Sequence, residues 1–332
     1  MKKLLNAPGA YVDEMLEGLC AAHAGSYRLL GEGRRVLARR DGAVEGKVGI
    51  VTGGGSGHLP VFLGYVGEGL LDACAVGDVF AGPRVADCEL ALRAADGGEG
   101  VLALYGNYGG DRMNFDMAQE LLELEGLQVM SLRVADDVAS APPAERGKRR
   151  GVAGLVYAYK VAGARAAAGG SLAEVHAAAE KAALACRSIG VALTPCTVPE
   201  SGRPTFEIGE DEVEFGMGIH GEPGIWRGAL KTADELVDEM LEHLLPELGA
   251  ARGDRVAVLL NSLGATPAEE LYIMYRRVAQ VLAGKGIEPA LPWVGRYATS
   301  MEMAGASITL MRLDGELEAL LRAPARSPFW GA

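Results

Sequence analysis

Cysteine is scarce in this 332-residue chain, and its five copies form no framework. Cys20, Cys74, Cys88, Cys186 and Cys196 include no CxxC pair, and an odd number at irregular spacing reads as reduced thiols rather than disulfides or a zinc site. A basic excess is missing too. Lys and Arg number 32 against 44 Asp and Glu, a formal net charge of -12, which argues against nucleic acid or an anionic membrane surface as partner. Long apolar runs are absent: Met1-Lys2-Lys3 is followed only by Leu4-Leu5 before polar and glycine-rich sequence, far short of a secretory leader or of the ~20 residues that span a bilayer. A soluble, cytoplasmic protein is expected. With 49% hydrophobic and 23% charged residues, the chain can bury a large core and is long enough for two domains.

The most distinctive stretch is residues 48–60, VGIVTGGGSGHLP, where an apolar β-branched run stops in glycines and delivers His58. Such a run suits a buried parallel strand that hands the chain to a ligand loop. Glycines there can adopt positive φ and let backbone N–H groups approach a ligand, although a tight turn without a ligand would look the same. The first half alternates strand and helix signals: helices over 11–22, around 62–67 and over 85–95, and strands over 47–52, 73–79, 100–105 and 127–134. Asn114 is the expected N-cap of a helix over 115–125 that Gly126 closes. Polar loops at the strand ends, including 106–111 and Asp136-Asp137, describe an open, mainly parallel α/β sheet with its ligands beyond the carboxyl ends of the strands.

Residues 140–151, SAPPAERGKRRG, read as a mobile, solvated loop. Alanine-rich helices over 152–167 and 171–188 follow, the second opened by Ser171 with Glu174 at the capping-box position. The texture then changes to short strands, over 190–193 and 214–219, before a helix over 232–245, a strand over 255–260, a helix over 268–283 and a strand over 307–313. Two α/β domains are expected, an N-terminal one over 1–185 with the glycine loop and a smaller mixed one over 186–332 carrying His220.

The glycine loop lacks both common nucleotide fingerprints. His58 follows Gly57 where a Walker A motif needs lysine, and no third glycine completes GxGxxG in register. Of five histidines, His23, His176 and His243 lie in helical, mostly polar surroundings. His58 and His220 instead sit at strand ends flanked by glycine, where a neutral imidazole can act as base, acid or nucleophile, or simply hydrogen-bond a carbonyl. Asp111, in a loop with three glycines, is the best-placed carboxylate for a general base; a favourable charge at a helix N-terminus is its alternative role.

Taken together, GGGSGH (53–58), NYGGDRMNFDMA (107–118), VADDVA (134–139), RRGVAG (149–154), the block 195–225 ending in GIHGEPGI, and NSLGATPAEELY (261–272) resemble the substrate-binding K subunit of dihydroxyacetone kinases along nearly the whole chain. The resemblance implies a homodimer of two-domain α/β subunits that binds a short ketose. It implies that His220 adds to the substrate carbonyl as a covalent hemiaminal, that Asp111 is the base on the hydroxyl to be phosphorylated, and that His58 is a second acid/base. Substrate contacts are expected at Gly55, Ser56, Gly57, His58, Gly106 and Asp111. No metal or cofactor is expected in this chain; ATP, or ADP with Mg²⁺, would sit on an L-type partner subunit. A ketose-sensing relative that keeps the covalent histidine and regulates transcription is the alternative. The pattern departs from the family at Leu59 and Phe62, where GHEPAH is usual, and at Gly106, where lysine is common. The lost side chain at Gly106 leads to the expectation of a larger ketose such as erythrulose.

Overall fold

The computed structural model describes residues 2–331. Helix α1 (Tyr11–Ala22) has the expected bounds and packs Val12 and Leu16 inward. Strands β1 (Tyr27–Leu30) and β2 (Val36–Arg39) follow as an antiparallel pair with no counterpart in the sequence reading. Strands β3 (Gly49–Ser56) and β4 (Ala73–Val79), helix α2 (Val85–Ala95), strand β5 (Val101–Gly106), helix α3 (Gly109–Leu124) and strand β6 (Val129–Val134) complete the first sheet. Its order is β1-β2-β4-β3-β5-β6, with β4, β3, β5 and β6 parallel and the hairpin on one edge. All eight residues of β3 are buried, as an unbroken apolar run covered on both faces should be.

Helices α4 (Gly154–Ala167) and α5 (Leu172–Ala185) lead to the second sheet, and Glu174 accepts hydrogen bonds from the backbone and hydroxyl of Ser171. That sheet comprises β7 (Cys186–Ala192), β8 (Glu212–Phe215), β9 (Trp226–Ala229), β10 (Arg255–Ser262), β11 (Glu288–Gly295) and β12 (Gly305–Arg312). Its order is β11-β10-β12-β7-β8-β9, and only β10 and β11 run parallel. Helices α6 (Ala233–Leu248) and α7 (Ala268–Gly284) pack on it, and α8 (Gly315–Arg322) follows β12. Helix α4 is buried on nearly every side, and its core cluster takes in Val61 and Leu102 from the first half and Ala257, Leu259 and Met311 from the second sheet. Among the described residues no helix is long and apolar enough to cross a membrane.

Several expectations are corrected. The glycines 53–55 belong to β3 itself, and only Gly57 takes positive φ, at 102°. They are glycines because neighbours come too close for a side chain. A Cβ at Gly54 would lie 2.4 Å from the Phe62 ring, and one at Gly53 would lie 2.9 Å from Phe115. Helix α3 starts at Gly109, five residues before the expected cap, and Asn114 instead donates from Nδ2 to the Pro83 carbonyl at 2.7 Å. The helix expected around 62–67 is one 3-10 turn, Leu63–Tyr65. The strand expected over 214–219 ends at Phe215 because Gly216 turns away at φ 86°. The 140–151 segment is exposed over 142–148, as a solvated connection should be, but it forms a 3-10 helix, Pro143–Lys148, and Arg149, 1% exposed, grips Glu247 through two hydrogen bonds of 2.6 and 2.8 Å. Strand β11 escaped notice because Pro289 and Pro292 argue against a strand, yet an edge position tolerates their missing donors.

Candidate functional site

His58 lies two residues beyond β3, on the turn that Gly57 makes possible. Its ring is 1% exposed, and its Nδ1 stands 2.7 Å from the carbonyl oxygen of Thr299. A carbonyl only accepts, so Nδ1 carries the hydrogen and Nε2 is left with a lone pair. That Nε2 is buried without a protein partner. Burial, reinforced by His220 nearby, pushes the His58 pKa down to about 3 against the opposing pull of Thr299 and Glu222, which keeps the ring neutral.

His220 comes from the other sheet, on the turn between β8 and β9. The two imidazoles meet edge to face, with centroids 4.6 Å apart and planes at 82°. Phe80 touches both, at 4.9 Å from His58 and 5.5 Å from His220, and Tyr108 stands edge-on to His220 at 4.8 Å. His220 Nδ1 lies 3.0 Å from Glu222 Oε1, and its backbone N–H donates to Glu222 Oε2 at 2.8 Å. Burial raises the Glu222 pKa, but the His220 hydrogen bond and the Arg150 charge outweigh it and bring it down to about 2. An ionised carboxylate cannot donate, so the hydrogen sits on Nδ1 of His220, and in the neutral ring Nε2 holds the free lone pair.

Asp111 is the third residue of α3 rather than the end of a loop, three residues beyond Tyr108. It is 7% exposed, its Oδ1 has no partner, and burial pushes its pKa up to about 7. No hydrogen bond joins it to either histidine among the described residues. The link is the turn after β4: Phe80 lies on the two imidazoles, while a Cβ at Gly82 would stand 2.7 Å from Asp111 Oδ1. Gly55 lets that turn approach, since a Cβ there would meet the Phe80 Cα and Ala81 N at 2.8 Å. Ser56 donates its hydroxyl to the Gly77 carbonyl at 2.8 Å, and the Gly57 carbonyl accepts from Met301 N at 2.7 Å. At Gly106 a Cβ would lie 3.1 Å from the Tyr108 ring. Phe62 stands edge-on to His58 at 5.8 Å, whereas Leu59 lines a cavity of about 480 Å³ with Gly57, Thr299, Arg296 and Met301, in which neither histidine side chain takes part.

Sequence reasoning brought out His58, His220 and Asp111 but missed what holds them. Phe80, Tyr108, Thr299, Glu222 and Arg150 are all absent from that reading as site residues. Glu222 stood two positions from His220 and could have been found; Thr299 is 241 residues from His58 and carries no sequence signal. Three non-glycine residues with positive φ surround His58, namely Phe62 at 70°, Phe80 at 57° and Met301 at 51°. Backbone strain of this kind concentrates where a structure holds a site in place.

Residues 17–329 match the Dak1 domain. The chain is 45% identical over 330 residues to the dihydroxyacetone-binding subunit of the PTS-dependent dihydroxyacetone kinase 2 of Listeria innocua serovar 6a, covering 99% of both. To the L-erythrulose kinase of Pectobacterium atrosepticum it is 44% identical over 332 residues, covering 99% of this chain and 56% of that one. The crystal structure of native dihydroxyacetone kinase of C. freundii superposes with a TM-score of 0.88 at 32% identity, over 98% of this chain and 59% of that one. The dihydroxyacetone kinase operon co-activator DhaQ superposes with a TM-score of 0.87 at 32% identity, over 94% and 96%.

Proposed function

The chain belongs to the Dak1 family, and from that premise we propose that it is the ketose-holding subunit of a kinase, with His220 as the nucleophile that captures the substrate carbonyl. The observation that carries this reading is the hydrogen bond from His220 Nδ1 to Glu222, which leaves Nε2 as the lone-pair nitrogen in an enclosure of His58, Phe80 and Tyr108. Nε2 attacks the carbonyl carbon, the π pair moves to oxygen, and the positive charge on the ring is met by the Glu222 carboxylate 3.0 Å away. A carbon–nitrogen bond selects ketones and aldehydes over polyols, a distinction that hydrogen bonds alone make less sharply. His58, neutral with a free Nε2, accepts a hydrogen bond from a substrate hydroxyl, and Asp111 is the base that takes the proton from the hydroxyl to be phosphorylated.

The phosphoryl donor, ATP or ADP with Mg²⁺, belongs in this reading to an L-type partner, which supplies the charge neutralisation that phosphoryl transfer needs. The likeness to a relative named as a binding subunit supports this division of labour. A cytoplasmic homodimer completes the proposal. Native mass spectrometry with dihydroxyacetone or erythrulose tests the capture step. A ketose-dependent adduct on the wild type, lost in His220→Ala, is expected; an adduct that persists in His220→Ala overturns it.

The likeness to a co-activator over nearly the full length of both chains favours a second reading, a ketose sensor. A sensor needs His220 but no base. The buried Asp111 with its raised pKa favours the enzyme, and turnover on adding an L-type partner with ATP separates the two.

A further inference from the structure

We propose that Arg150, held by Asp137, is a positioning residue for carbonyl capture: it fixes the Glu222 carboxylate so that His220 keeps its hydrogen on Nδ1 and attacks through Nε2. This rests on the reading of His220 as the nucleophile. Glu222 lies on a turn with a side chain 36% exposed, and nothing in its own segment other than His220 would stop it rotating into water. Behind it stands the Arg150 guanidinium, 14% exposed, with Nη1 3.5 Å from Glu222 Oε2. Arg150 cannot swing away, because Nε and Nη2 both lie 2.8 Å from Asp137 Oδ2 and Nη2 also donates to the Gly216 carbonyl at 3.2 Å. Asp137 is buried and receives the Ala139 N–H on its other oxygen, at 3.0 Å.

The backbone is built for this reach. The backbone N–H of Asp137 donates to the Arg150 carbonyl at 3.1 Å, which ties the segment after β6 to the segment before α4. A Cβ at Gly218 would lie 3.0 Å from both the guanidinium and Glu222 Oε2, so glycine there leaves the gap through which Arg150 meets the carboxylate. The two motifs that the fold alone left without a chemical role, VADDVA and RRGVAG, therefore converge on the nucleophile. Asp136 is committed elsewhere, accepting from Val152 N and Gly154 N at 2.8 and 2.7 Å and from the Ser188 hydroxyl.

Asp137, Arg150 and Glu222 together carry one net negative charge beside the ring. Capture forms the Nε2–carbon bond and breaks the carbonyl π bond. The new alkoxide takes a proton from solvent, and the Nδ1 proton leaves to solvent past the Glu222 carboxylate, so the adduct is the sum of ketose and protein. The other polar groups facing this charge cluster are His58, His220 itself, Asp136 and the buried, unpartnered hydroxyl of Tyr108.

The test combines ¹⁵N spectra of the imidazoles, which read the His220 tautomer without any ketose, with ketose capture and turnover. The wild type should show one tautomer, protonated on Nδ1. Arg150→Gln should show a mixture, bind ketose about tenfold more weakly, and keep kcat at saturating ketose within about twofold, as expected for the loss of one charged neighbour of Glu222. Arg150→Lys should restore part of the affinity. If Arg150→Gln does not fold, Asp137→Asn, which loosens Arg150 in place, carries the same expectations. A folded variant with an unchanged tautomer and unchanged capture overturns the proposal. Failure of the wild type to capture any ketose would instead sink the functional reading, and the tautomer measurement would still decide the role of Arg150.

Discussion

Thr299 accepts a hydrogen bond from His58 Nδ1 at 2.7 Å, and that contact decides what His58 can do. With its hydrogen spent on the backbone of the second half of the chain, the ring offers only the buried lone pair of Nε2. Its pKa, pushed down to about 3, keeps it neutral through the working range. His58→Gln should therefore leave the ketose adduct on His220 intact while phosphorylation with an L-type partner falls by about 10²-fold, the usual worth of an aligned acid/base group. The pH profile of wild-type adduct formation should show no step from His58 near neutral pH. Loss of the adduct itself in His58→Gln would move His58 from proton transfer to substrate capture.

In its proposed role as the base, Asp111 sets the pH dependence expected of turnover. Its carboxyl titrates near 7 because it is buried, and a base works only when ionised, so kcat should rise as pH climbs through about 7. Asp111→Asn should lower turnover by at least about 10²-fold and leave capture unchanged. Stability moves the opposite way. A carboxyl whose folded pKa lies above its unfolded value of 3.8 destabilises the fold increasingly as pH rises between the two values, and fully above the folded one. Asp111→Asn should then be more stable than the wild type by up to a few kcal/mol at pH 8 and by little at pH 4, measured by thermal or denaturant unfolding. Equal stabilisation at both pH values would mean that the group does not titrate near 7.

Gly55 offers a test of the scaffold. Alanine there would drive a Cβ to within 2.8 Å of the Phe80 and Ala81 backbone, on the turn whose aromatic ring lies on both histidines. Gly55→Ala should cost about 1–3 kcal/mol of stability from overpacking and should also weaken ketose capture. Gly54→Ala, which crowds Phe62 instead, should cost a similar amount of stability. If capture survives in Gly55→Ala at wild-type affinity, the 80–82 turn does not hold the site in place.

Much of this architecture could be read from residue order because the first sheet is built from units that announce themselves locally. Tyr11–Ala22 and Val85–Ala95 have helical spacing and clear ends, and β3 is an apolar run. What escaped depends on distant partners. Gly53 and Gly54 looked like a loop because nothing nearby reveals that Phe115 and Phe62 press on the strand from other elements. Asn114 looked like a cap because its true partner, Pro83, lies on another segment. Arg149 and Arg150 looked like a solvated charge run because Glu247 and Glu222 are far along the chain. The three chemical residues stood out by their glycine surroundings, and the groups that orient them did not.

Gly106 leads to the prediction that most directly concerns the substrate. It ends β5, and any side chain there would meet the ring of Tyr108 at about the distance of its Cβ, 3.1 Å. Tyr108 stands edge-on to His220, so in the proposed capture its position sets the room around the ketose. Without a side chain at 106 the Tyr108 ring can remain where it is, and the expectation drawn from the sequence is a four-carbon ketose rather than dihydroxyacetone. With an L-type partner and ATP, the wild type should phosphorylate erythrulose with a kcat/KM at least equal to that for dihydroxyacetone. Gly106→Lys, by crowding Tyr108, should shift the ratio toward dihydroxyacetone by about tenfold, the lower end of what one carbon is worth in a shaped pocket. A clear wild-type preference for dihydroxyacetone would show that the gap at Gly106 does not select the substrate, and an unchanged ratio in Gly106→Lys would show that Tyr108 does not form the selective wall.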